Sequence, residues 1–245
     1  MSLKLIKLDA IDSTNNYLKE LARNTTIVDE TVVVAKRQLK GRGQMENSWQ
    51  SQNGKSLTFS VLKKFTGFKI DDQAYLNYAV SVGVYNGFKK LEIKNVTIKW
   101  PNDILSYGKK VCGILIETQL AGNEIVSSII GLGINVNETS FIELPKASSL
   151  RLVSGKDFIL SEVLEVVCTS VLDALNLLNA NAFQKIKTNY EENLFRKDQV
   201  SSFKDINGNL FNGIIKGVNS DGKLLIETED EKIKAFGFKE VTLLY

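Results

Sequence analysis

The chain has 245 residues, of which 43% are hydrophobic and 24% are charged, so it can bury the core of one medium domain or of one large and one small domain. Its 31 basic and 28 acidic residues leave a net charge of +3, which is too small and too scattered to indicate a nucleic-acid-binding surface. The absence of histidine excludes Ser-His-Asp and Cys-His catalysis, histidine-ligated metals and imidazole as a general base.

Strand and helix patterns alternate along the N-terminal part of the chain. Polar residues at 12–15 can cap a helix whose apolar face holds Leu18, Leu21 and Ala22. Residues 40–47 are polar, contain glycine and have no period, so they predict a loop. In chain order, the patterns predict strands over 4–8, 32–35, 57–62 and 96–100 and a helix over 71–88.

The rest of the chain contains a hairpin and two helices, followed by a region of short β-strands. Two apolar runs flank the turn 121–123 and predict a hairpin of central strands over 110–119 and 124–135. Helical spacing follows over 160–178 and 182–194. Five short β runs separated by turn signals are typical of a small barrel, and they cover 199–203, 210–218, 224–228, 232–236 and 241–244. We therefore predict a mixed α+β domain over 1–194 and a compact β domain over 195–245.

The two cysteines and the lack of long apolar runs bear on the compartment. Cys112 and Cys168 stand far apart in apolar surroundings, so neither a disulfide scaffold nor a zinc site is indicated. The N-terminus lacks the apolar block of a secretory signal, and no apolar run approaches the roughly 20 residues needed to cross a bilayer. We therefore expect a cytoplasmic protein that does not enter a membrane.

A short glycine-bearing segment, residues 40–44, is the first candidate for chemistry. Gly41 and Gly43 let the backbone approach a ligand closely, and Lys40 and Arg42 supply positive charge, which favours a phosphate. The segment lacks the last glycine of the dinucleotide fingerprint, and the nearby Gly54-Lys55-Ser56 lacks the earlier glycine of a P-loop. A solvated turn is the alternative interpretation.

Residues 99–105 form the second candidate. Pro101 ends the preceding strand, so Asn102 and Asp103 should project where sites commonly lie. An amide can recognise a base edge or a ribose, and a carboxylate can hold magnesium or orient an ammonium group. A plain turn is the alternative, because Pro-Asn-Asp also forms turns well.

Two glycine-containing strands carry the remaining candidates. Lys110, at the mouth of an apolar strand, could neutralise a carboxylate or a phosphoryl group, although an edge lysine pointing outward is the alternative. Gly113 permits a close approach, and Cys112 has no base partner and is given no catalytic role. In 131–137, Asn135 offers a donor and an acceptor to an adenine edge, although glycine there can equally mark a bulge.

The order of these segments resembles the biotin protein ligase family over most of residues 1–150. The segments that carry the resemblance are Ser13-Thr14-Asn15, Gln38 with 41–44 and Trp49, 99–103, 110–117 and 131–137. The resemblance implies a mixed central sheet flanked by helices, of the class II synthetase type, followed by a small SH3-like β-barrel. In the implied reaction, the carboxylate of biotin attacks the α-phosphate of ATP, and the biotinyl adenylate then acylates a lysine of a carrier domain.

The resemblance also assigns residues to roles. The biotin site is expected to comprise Ser13, Thr14, Asn15, Gln38, Gly41, Arg42, Gly43, Trp49, Lys110 and Gly113. The ATP site is expected to comprise Arg42, Gln44, Asn102, Lys110 and Asn135, the last of these near adenine. Lys110, Arg42 and Asp103 are the expected catalytic residues: Lys110 bridges the biotin carboxylate and the α-phosphate, and Asp103 lies near Mg²⁺ and orients the incoming lysine.

The glycine loop departs from the commoner family pattern, in which several arginines follow Gly43. This chain has Gln44, Met45, Glu46 and Asn47 at those positions. Gln44 with Asn47 fits a variant of the loop, but Glu46 stands where glycine is expected and would repel a triphosphate unless it points outward. We therefore hypothesise that the adenylate is held less tightly than in arginine-rich relatives.

Partners and rival functions follow from the same resemblance. The acceptor is expected to be a biotin carboxyl carrier protein or the carrier domain of a biotin-dependent carboxylase, and a homodimer is compatible with the sequence. The pattern begins at Ser13 and leaves no room for the DNA-binding domain of some members, so nucleic acid is not an expected partner. A lipoate or octanoate ligase or transferase is the nearest rival, although a straight acyl chain has no urea to satisfy Ser13, Thr14 and Gln38. An idle binding module is a further rival, which Arg42, Lys110 and Asp103 argue against.

Overall fold

We describe residues 4–44, 47–142, 144–180 and 182–245 of a computed structural model of the chain. The strands are β1 Leu5–Ile11, β2 Val32–Gln38, β3 Ser56–Lys64, β4 Val96–Lys99, β5 Asp103–Ser106, β6 Lys109–Ala121, β7 Glu124–Asn135, β8 Val200–Asp205, β9 Leu210–Val218, β10 Leu224–Thr228, β11 Ile233–Phe236 and β12 Val241–Leu244. The helices are α1 Thr14–Asn24, α2 Gln73–Lys90, α3 Leu150–Ser154, α4 Leu160–Asn179 and α5 Phe183–Glu192, with a 3₁₀ turn at Ile70–Asp72.

The first seven strands form one mixed sheet in the order β1-β2-β3-β7-β6-β5-β4. Only the pair β1 and β2 is parallel, and the other pairs are antiparallel. The predicted hairpin of β6 and β7 lies in the middle of the sheet, which confirms its central position. The mixed sheet with flanking helices also confirms the predicted fold class.

Side-chain alternation along the central strands divides the core between two faces. Val33, Leu62 and Ile129 pack with Leu18 of α1 on one face. The adjacent residues Val32, Val61 and Ile130 turn to the opposite face, which α2 and α4 cover. Because both faces are covered, β3 is buried at every residue except its last, and this includes its polar residues Ser56, Thr58 and Ser60.

The last five strands form a second sheet in the order β11-β10-β9-β8-β12, at the positions predicted for the five β runs. Its turns are tied to the first sheet's helices and loops: the Tyr78 hydroxyl donates to the Asn219 carbonyl at 3.1 Å, and Trp100 Nε1 donates to the Gly222 carbonyl at 2.9 Å. The closure of this sheet into an SH3-like barrel and the boundary between 1–194 and 195–245 stay predictions.

Two short elements were not predicted, namely β5 and α3. β5 begins at Asp103, directly after a tight turn that returns the chain from Lys99, so Lys99 and Asp103 are cross-strand partners. Its four residues are too few to show a period, and the polar turn before them predicted a loop. Within the described ranges, no helix is both long enough and apolar enough to cross a membrane.

Candidate active site

A cavity of about 200 Å³ opens over the central strands, and it gathers most of the residues singled out from the sequence. Its walls include Ser13, Thr14, Asn15, Gln38, Arg42, Gly43, Gln44, Trp49, Asn102, Asp103, Lys110 and Gly113 among the expected site residues. Lys99, Leu115, Gly131, Gly133 and Phe238 also line it. The cavity has a polar end at the start of α1 and a charged end at the turn between β4 and β5.

The polar end is built by a network of buried side chains at the start of α1. The backbone amide and the hydroxyl of Thr14 both donate to Oε1 of Gln38, at 2.8 and 3.0 Å. The Ser60 hydroxyl lies 2.7 Å from Thr14 Oγ1 and 2.6 Å from Asn15 Oδ1. Ser13, Thr14 and Asn15 are each only 3% exposed, so their polar atoms are desolvated and fixed in direction. Such an end suits a small ligand that carries both donors and acceptors.

The floor of the cavity consists of glycines against which Trp49 packs. A Cβ atom added to Gly133 would lie 2.3 Å from Trp49 Cε2, and one added to Gly113 would lie 2.9 Å from Trp49 Cζ3. Gly113 and Gly133 are cross-strand partners in β6 and β7, so they form one flat patch. Trp49 Nε1 is buried and has no hydrogen-bond partner among the residues described, which leaves a donor for a ligand.

Within the predicted loop 40–47 and the residues that follow it, the described segments 41–43 and 47–49 lie antiparallel to each other, as the two arms of a narrow hairpin. Trp49 N donates to the Gly41 carbonyl at 2.9 Å, Gly43 N donates to the Asn47 carbonyl at 2.7 Å, and Arg42 bridges to Ser48. Met45 and Glu46, on which the predicted weakening of phosphate contacts partly depends, lie outside the described residues.

Arg42 reaches from this hairpin to the carboxylate of Glu117 on β6. Its Nη1 lies 3.3 Å from both carboxylate oxygens and donates to Asn16 Oδ1 at 2.6 Å. Asn15 Nδ2 also donates to Glu117, at 3.0 Å, and Lys19 Nζ lies 3.4 Å away. Burial acts to raise the pKa of Glu117, but the Asn15 hydrogen bond and the charges of Arg42 and Lys19 together hold that pKa below its usual value.

This depressed pKa predicts a pH-dependent contribution of Glu117 to stability. A carboxyl group whose pKa is lowered by folding stabilises the protein above its unfolded pKa, about 4.3 for glutamate, and the contribution is lost as pH falls through the folded pKa. The variant Glu117→Gln should therefore melt below the wild type near pH 7, and the difference in Tm should narrow as the pH falls below about 4.3, the pKa of unfolded glutamate. Thermal melts between pH 3.5 and 7 measure it.

A matched substitution elsewhere on the sheet provides the control. Glu124→Gln removes a carboxylate whose partner Lys69 is exposed, so it should change Tm little at any pH. A Tm difference for Glu117→Gln that stays constant across the pH range would contradict the linkage.

The charged end of the cavity is centred on Asp103. Lys110 Nζ lies 2.6 Å from one Asp103 oxygen, and Lys99 Nζ lies 3.6 Å from the other. Lys110 Nζ also lies 5.5 Å from the Trp49 ring centroid, so the charged end and the floor meet at this ammonium. Asn102 Nδ2 donates to the Ile114 carbonyl at 2.7 Å, so its amide oxygen is the atom that can serve a ligand. The sequence-based alternative of an outward edge lysine does not describe Lys110.

Two expected site residues do not line the cavity. Gly41 lies behind Trp49: a Cβ atom there would meet the Trp49 carbonyl oxygen at 2.3 Å. Asn135 is 5% exposed, and its Nδ2 donates to the Ser148 carbonyl at 3.0 Å.

Cys112 is fully buried, which raises the pKa of its thiol and agrees with the absence of a catalytic role. In the described parts of the chain, no group of three or more acidic or cysteine side chains could hold a metal.

Sequence reasoning missed four residues that shape the site. Ser60 and Glu117 are polar positions in apolar strands, which is a usable signal, since a buried polar side chain needs a partner. Lys99 sits in a segment that was recognised but was given no role. Phe238 reaches the cavity from the turn between β11 and β12, with its ring centroid 6.5 Å from that of Trp100, and no local sequence pattern predicts this contact.

Fold and site together define a class: an α+β enzyme with a desolvated polar pocket joined to a cationic corner. Residues 8–135 match the family model of the biotin/lipoate A/B protein ligase family. The bifunctional ligase/repressor BirA of Bacillus spizizenii is 33% identical over 234 residues, which cover 94% of this chain and 71% of that protein. The biotin--[acetyl-CoA-carboxylase] ligase of Paracoccus denitrificans is 31% identical over 127 residues, which cover 51% of each protein.

A solved structure supports the same assignment over the whole chain. The biotin protein ligase from Aquifex aeolicus, in complex with biotin and ATP, has a TM-score of 0.80 to this structure at 29% identity, covering 98% of both chains. The chain therefore belongs to the biotin/lipoate A/B protein ligase family, in its biotin protein ligase branch.

Proposed function

We propose that this protein is a biotin protein ligase, which activates biotin with ATP and transfers it to a lysine of a carrier protein. The observation that carries the proposal is the shape and chemistry of one cavity, in which the Ser13, Thr14 and Gln38 end suits a urea ring and the Lys110 and Asp103 end suits anions. Relatives named as biotin ligases agree with it.

In the first step, an oxygen of the biotin carboxylate attacks the α-phosphorus of ATP, and pyrophosphate leaves with the electron pair of the broken P–O bond. The difficulty is the repulsion between two anions that must come into contact. Lys110 can neutralise both, because its ammonium projects into the cavity between the Trp49 floor and the Asn102 turn. No enzyme nucleophile is needed, which agrees with a chain that has no histidine.

In the second step, the ε-amine of the acceptor lysine attacks the acyl carbon of the adenylate and AMP leaves. Asp103 is the one carboxylate among the described residues that line the cavity, so it can accept a hydrogen bond from the incoming amine. The same donor set fits Mg²⁺ brought by the nucleotide, which binds through one or two carboxylates together with phosphate oxygens. Asp103 and the amide oxygen of Asn102 would hold the ion, which would offset phosphate charge.

The nearest alternative, a lipoate ligase, would bind a substrate with no urea group to form hydrogen bonds at the polar end of the cavity. A straight acyl chain would offer no acceptor to the buried Trp49 Nε1, which has no hydrogen-bond partner among the described residues, and such an unsatisfied group costs about 1–3 kcal/mol. The test is incubation of the protein with ATP, magnesium and a biotin carrier domain, followed by intact mass measurement. A mass increase with biotin and none with lipoate is expected, and the reverse would remove the proposal.

The glycine loop gives a further prediction on the intermediate. Gln44 lines the cavity but carries no charge, so Gln44→Arg should add a charge-assisted contact to the adenylate and slow its release about tenfold. Release of labelled adenylate in the absence of acceptor measures this rate. Gln50→Arg, an exposed position outside the cavity, is the matched control and should leave the rate unchanged. Slow release from the wild type would contradict a loosely held adenylate.

The acceptor and the setting are proposed from the same family membership. We propose that the acceptor is a biotin carboxyl carrier protein or the carrier domain of a biotin-dependent carboxylase. The cytoplasm as compartment, a homodimer and the absence of nucleic-acid binding stay predictions from the sequence.

A further inference from the structure

The glycine hairpin has few basic residues that could contact the phosphates of a nucleotide. Arg42 is the only basic residue in the sequence from 41 to 49. Its guanidinium already contacts Glu117 and Asn16, at the polar end of the cavity. A triphosphate that loses pyrophosphate needs cations around the leaving group, because charge accumulates there as the P–O bond breaks. Those cations must therefore come from another wall.

Two lysines near the charged end have no role in the proposed mechanism: Lys99, which lines the cavity, and Lys146, which contacts the same aromatic ring as Lys99. Lys99 ends β4, lines the cavity and lies 3.6 Å from Asp103, with its side chain 23% exposed. Lys146 belongs to the segment before α3, and its carbonyl accepts a hydrogen bond from the Lys110 amide at 2.7 Å. That backbone bond places Lys146 directly beside the residue expected to touch the α-phosphate.

One aromatic ring holds both ammonium groups at the same corner. Lys146 Nζ lies 4.3 Å from the ring centroid of Tyr245, and Lys99 Nζ lies 5.7 Å from it. Phe195 contacts the same ring in an edge-to-face arrangement, with centroids 5.0 Å apart, which helps to position the ring. A cation held over an aromatic face is already positioned and partly desolvated, so it is preorganised to bind an anion.

Charge counting at this corner favours an anionic guest. Asp103 is the carboxylate that contacts Lys99 and Lys110, and in the described parts of the chain Lys146 contacts no carboxylate within 4.0 Å. Among the described residues, three lysines and one aspartate meet at this corner, which gives these groups a net positive charge. An ordinary surface would disperse such charges or pair them with acids.

We propose that Lys99 and Lys146, held by Tyr245, form a subsite for the β- and γ-phosphates of the nucleotide and for the pyrophosphate that leaves. The subsite deepens the proposed function and rests on it. In this proposal, the two lysines supply the positive charge for the phosphates that the glycine hairpin does not supply. Lys110 serves the α-phosphate, and the other two lysines serve the leaving group, so their effect is confined to the first half-reaction.

The test is biotin-dependent exchange of labelled pyrophosphate into ATP, with inorganic pyrophosphate as the varied probe. Lys146→Met and Lys99→Met should each raise the KM for pyrophosphate about tenfold, and the double variant should raise it more. Lys146→Arg should retain most of the affinity. Lys109→Met removes an exposed lysine next in sequence to Lys110 and outside the cavity, so it serves as the control.

A second readout separates a phosphate subsite from a general structural role. Transfer of biotin from chemically prepared biotinyl adenylate to a carrier domain bypasses pyrophosphate. Lys146→Met removes no ion pair with Asp103, so this variant should transfer at the wild-type rate. An unchanged KM for pyrophosphate, or equal losses in exchange and in transfer, would overturn the subsite. A wild type without biotin-dependent exchange would instead remove the proposed function, so the two failures are distinguishable.

Discussion

Replacement of Lys110 by alanine is expected to lower the rate of adenylate formation by about 100- to 1000-fold. Its ammonium is the one cation that contacts both the Trp49 ring, at 5.5 Å, and an Asp103 oxygen, at 2.6 Å, among the described residues of the site. Without it, the biotin carboxylate and the α-phosphate would meet with their charges uncompensated in a partly desolvated cavity. Biotin-dependent exchange of pyrophosphate into ATP measures the rate.

The design of this experiment uses the neighbouring lysine as a control. Lys109→Ala removes the same charge one residue away, on a side chain that points out of the cavity, and should leave the rate within about twofold. Lys110→Ala should keep the fold, because the lysine is half-buried and its strand is held by backbone pairing with β5 and β7. Near-normal exchange by a folded Lys110→Ala protein would remove Lys110 from the mechanism.

Elements whose patterns lie within a short stretch of sequence were predicted well, and features that depend on residues far apart in the sequence were not. β6 and β7 were predicted as a central hairpin because two apolar runs, over 110–119 and 124–135, flank a local turn. β5 was missed because it has four residues and follows a polar turn. The order of strands, with β7 inserted next to β3, is a long-range property that no window of residues contains.

The same reasoning applies to the site. Segments bearing Thr14, Gln38, Asp103 and Lys110 were recognised because residue type and local order indicate their chemistry. Contacts between distant segments were not, and the pairing of Arg42 with Glu117, 75 residues apart, is an example. The sequence shows that Glu117 is present, but it does not show that Arg42 contacts it. That contact depends on how the glycine hairpin packs against the sheet.

The glycines of the floor show a prediction that was correct in kind and incomplete in cause. Gly113 and the glycines of 131–137 were taken as marks of a close approach by a ligand or backbone. In the structure, the group that approaches Gly133 is the Trp49 indole, and the group that approaches Gly131 is the Asn15 amide, 2.3 Å from an added Cβ. The glycines therefore preorganise protein side chains that form the proposed biotin pocket.

Replacement of Gly133 by alanine is therefore expected to have a large effect on the KM for biotin and on stability. Gly133→Ala would place its Cβ 2.3 Å from Trp49 Cε2 and 2.6 Å from Trp49 Nε1, well inside contact distance. The strand cannot retreat, because Gly133 is paired with Thr58 on one side and Gly113 on the other. The indole must therefore leave the floor, and we expect the KM for biotin to rise about 100-fold, with a stability loss of about 1–3 kcal/mol.

Gly113→Ala tests whether the effect follows the steric overlap. Its Cβ would meet the edge of the indole at 2.9 Å and the flexible end of Lys110 at 3.2 Å, both of which can shift, so a smaller rise in the KM for biotin is expected. Steady-state biotinylation and thermal melts measure the two quantities. Equal effects of Gly113→Ala and Gly133→Ala on KM would contradict an explanation by overlap with Trp49.

A double-mutant cycle with Trp49 then separates stability from binding. If the clash with the indole causes the loss of stability, Trp49→Ala should relieve it, and Gly133→Ala with Trp49→Ala should be more stable than the sum of the single changes predicts. Biotin affinity should not recover, because the wall that covers the ring is gone in either variant. Additive stability effects would mean that the methyl group disturbs the β3, β6 and β7 ladder itself, and the role of Gly133 as a seat for Trp49 would be wrong.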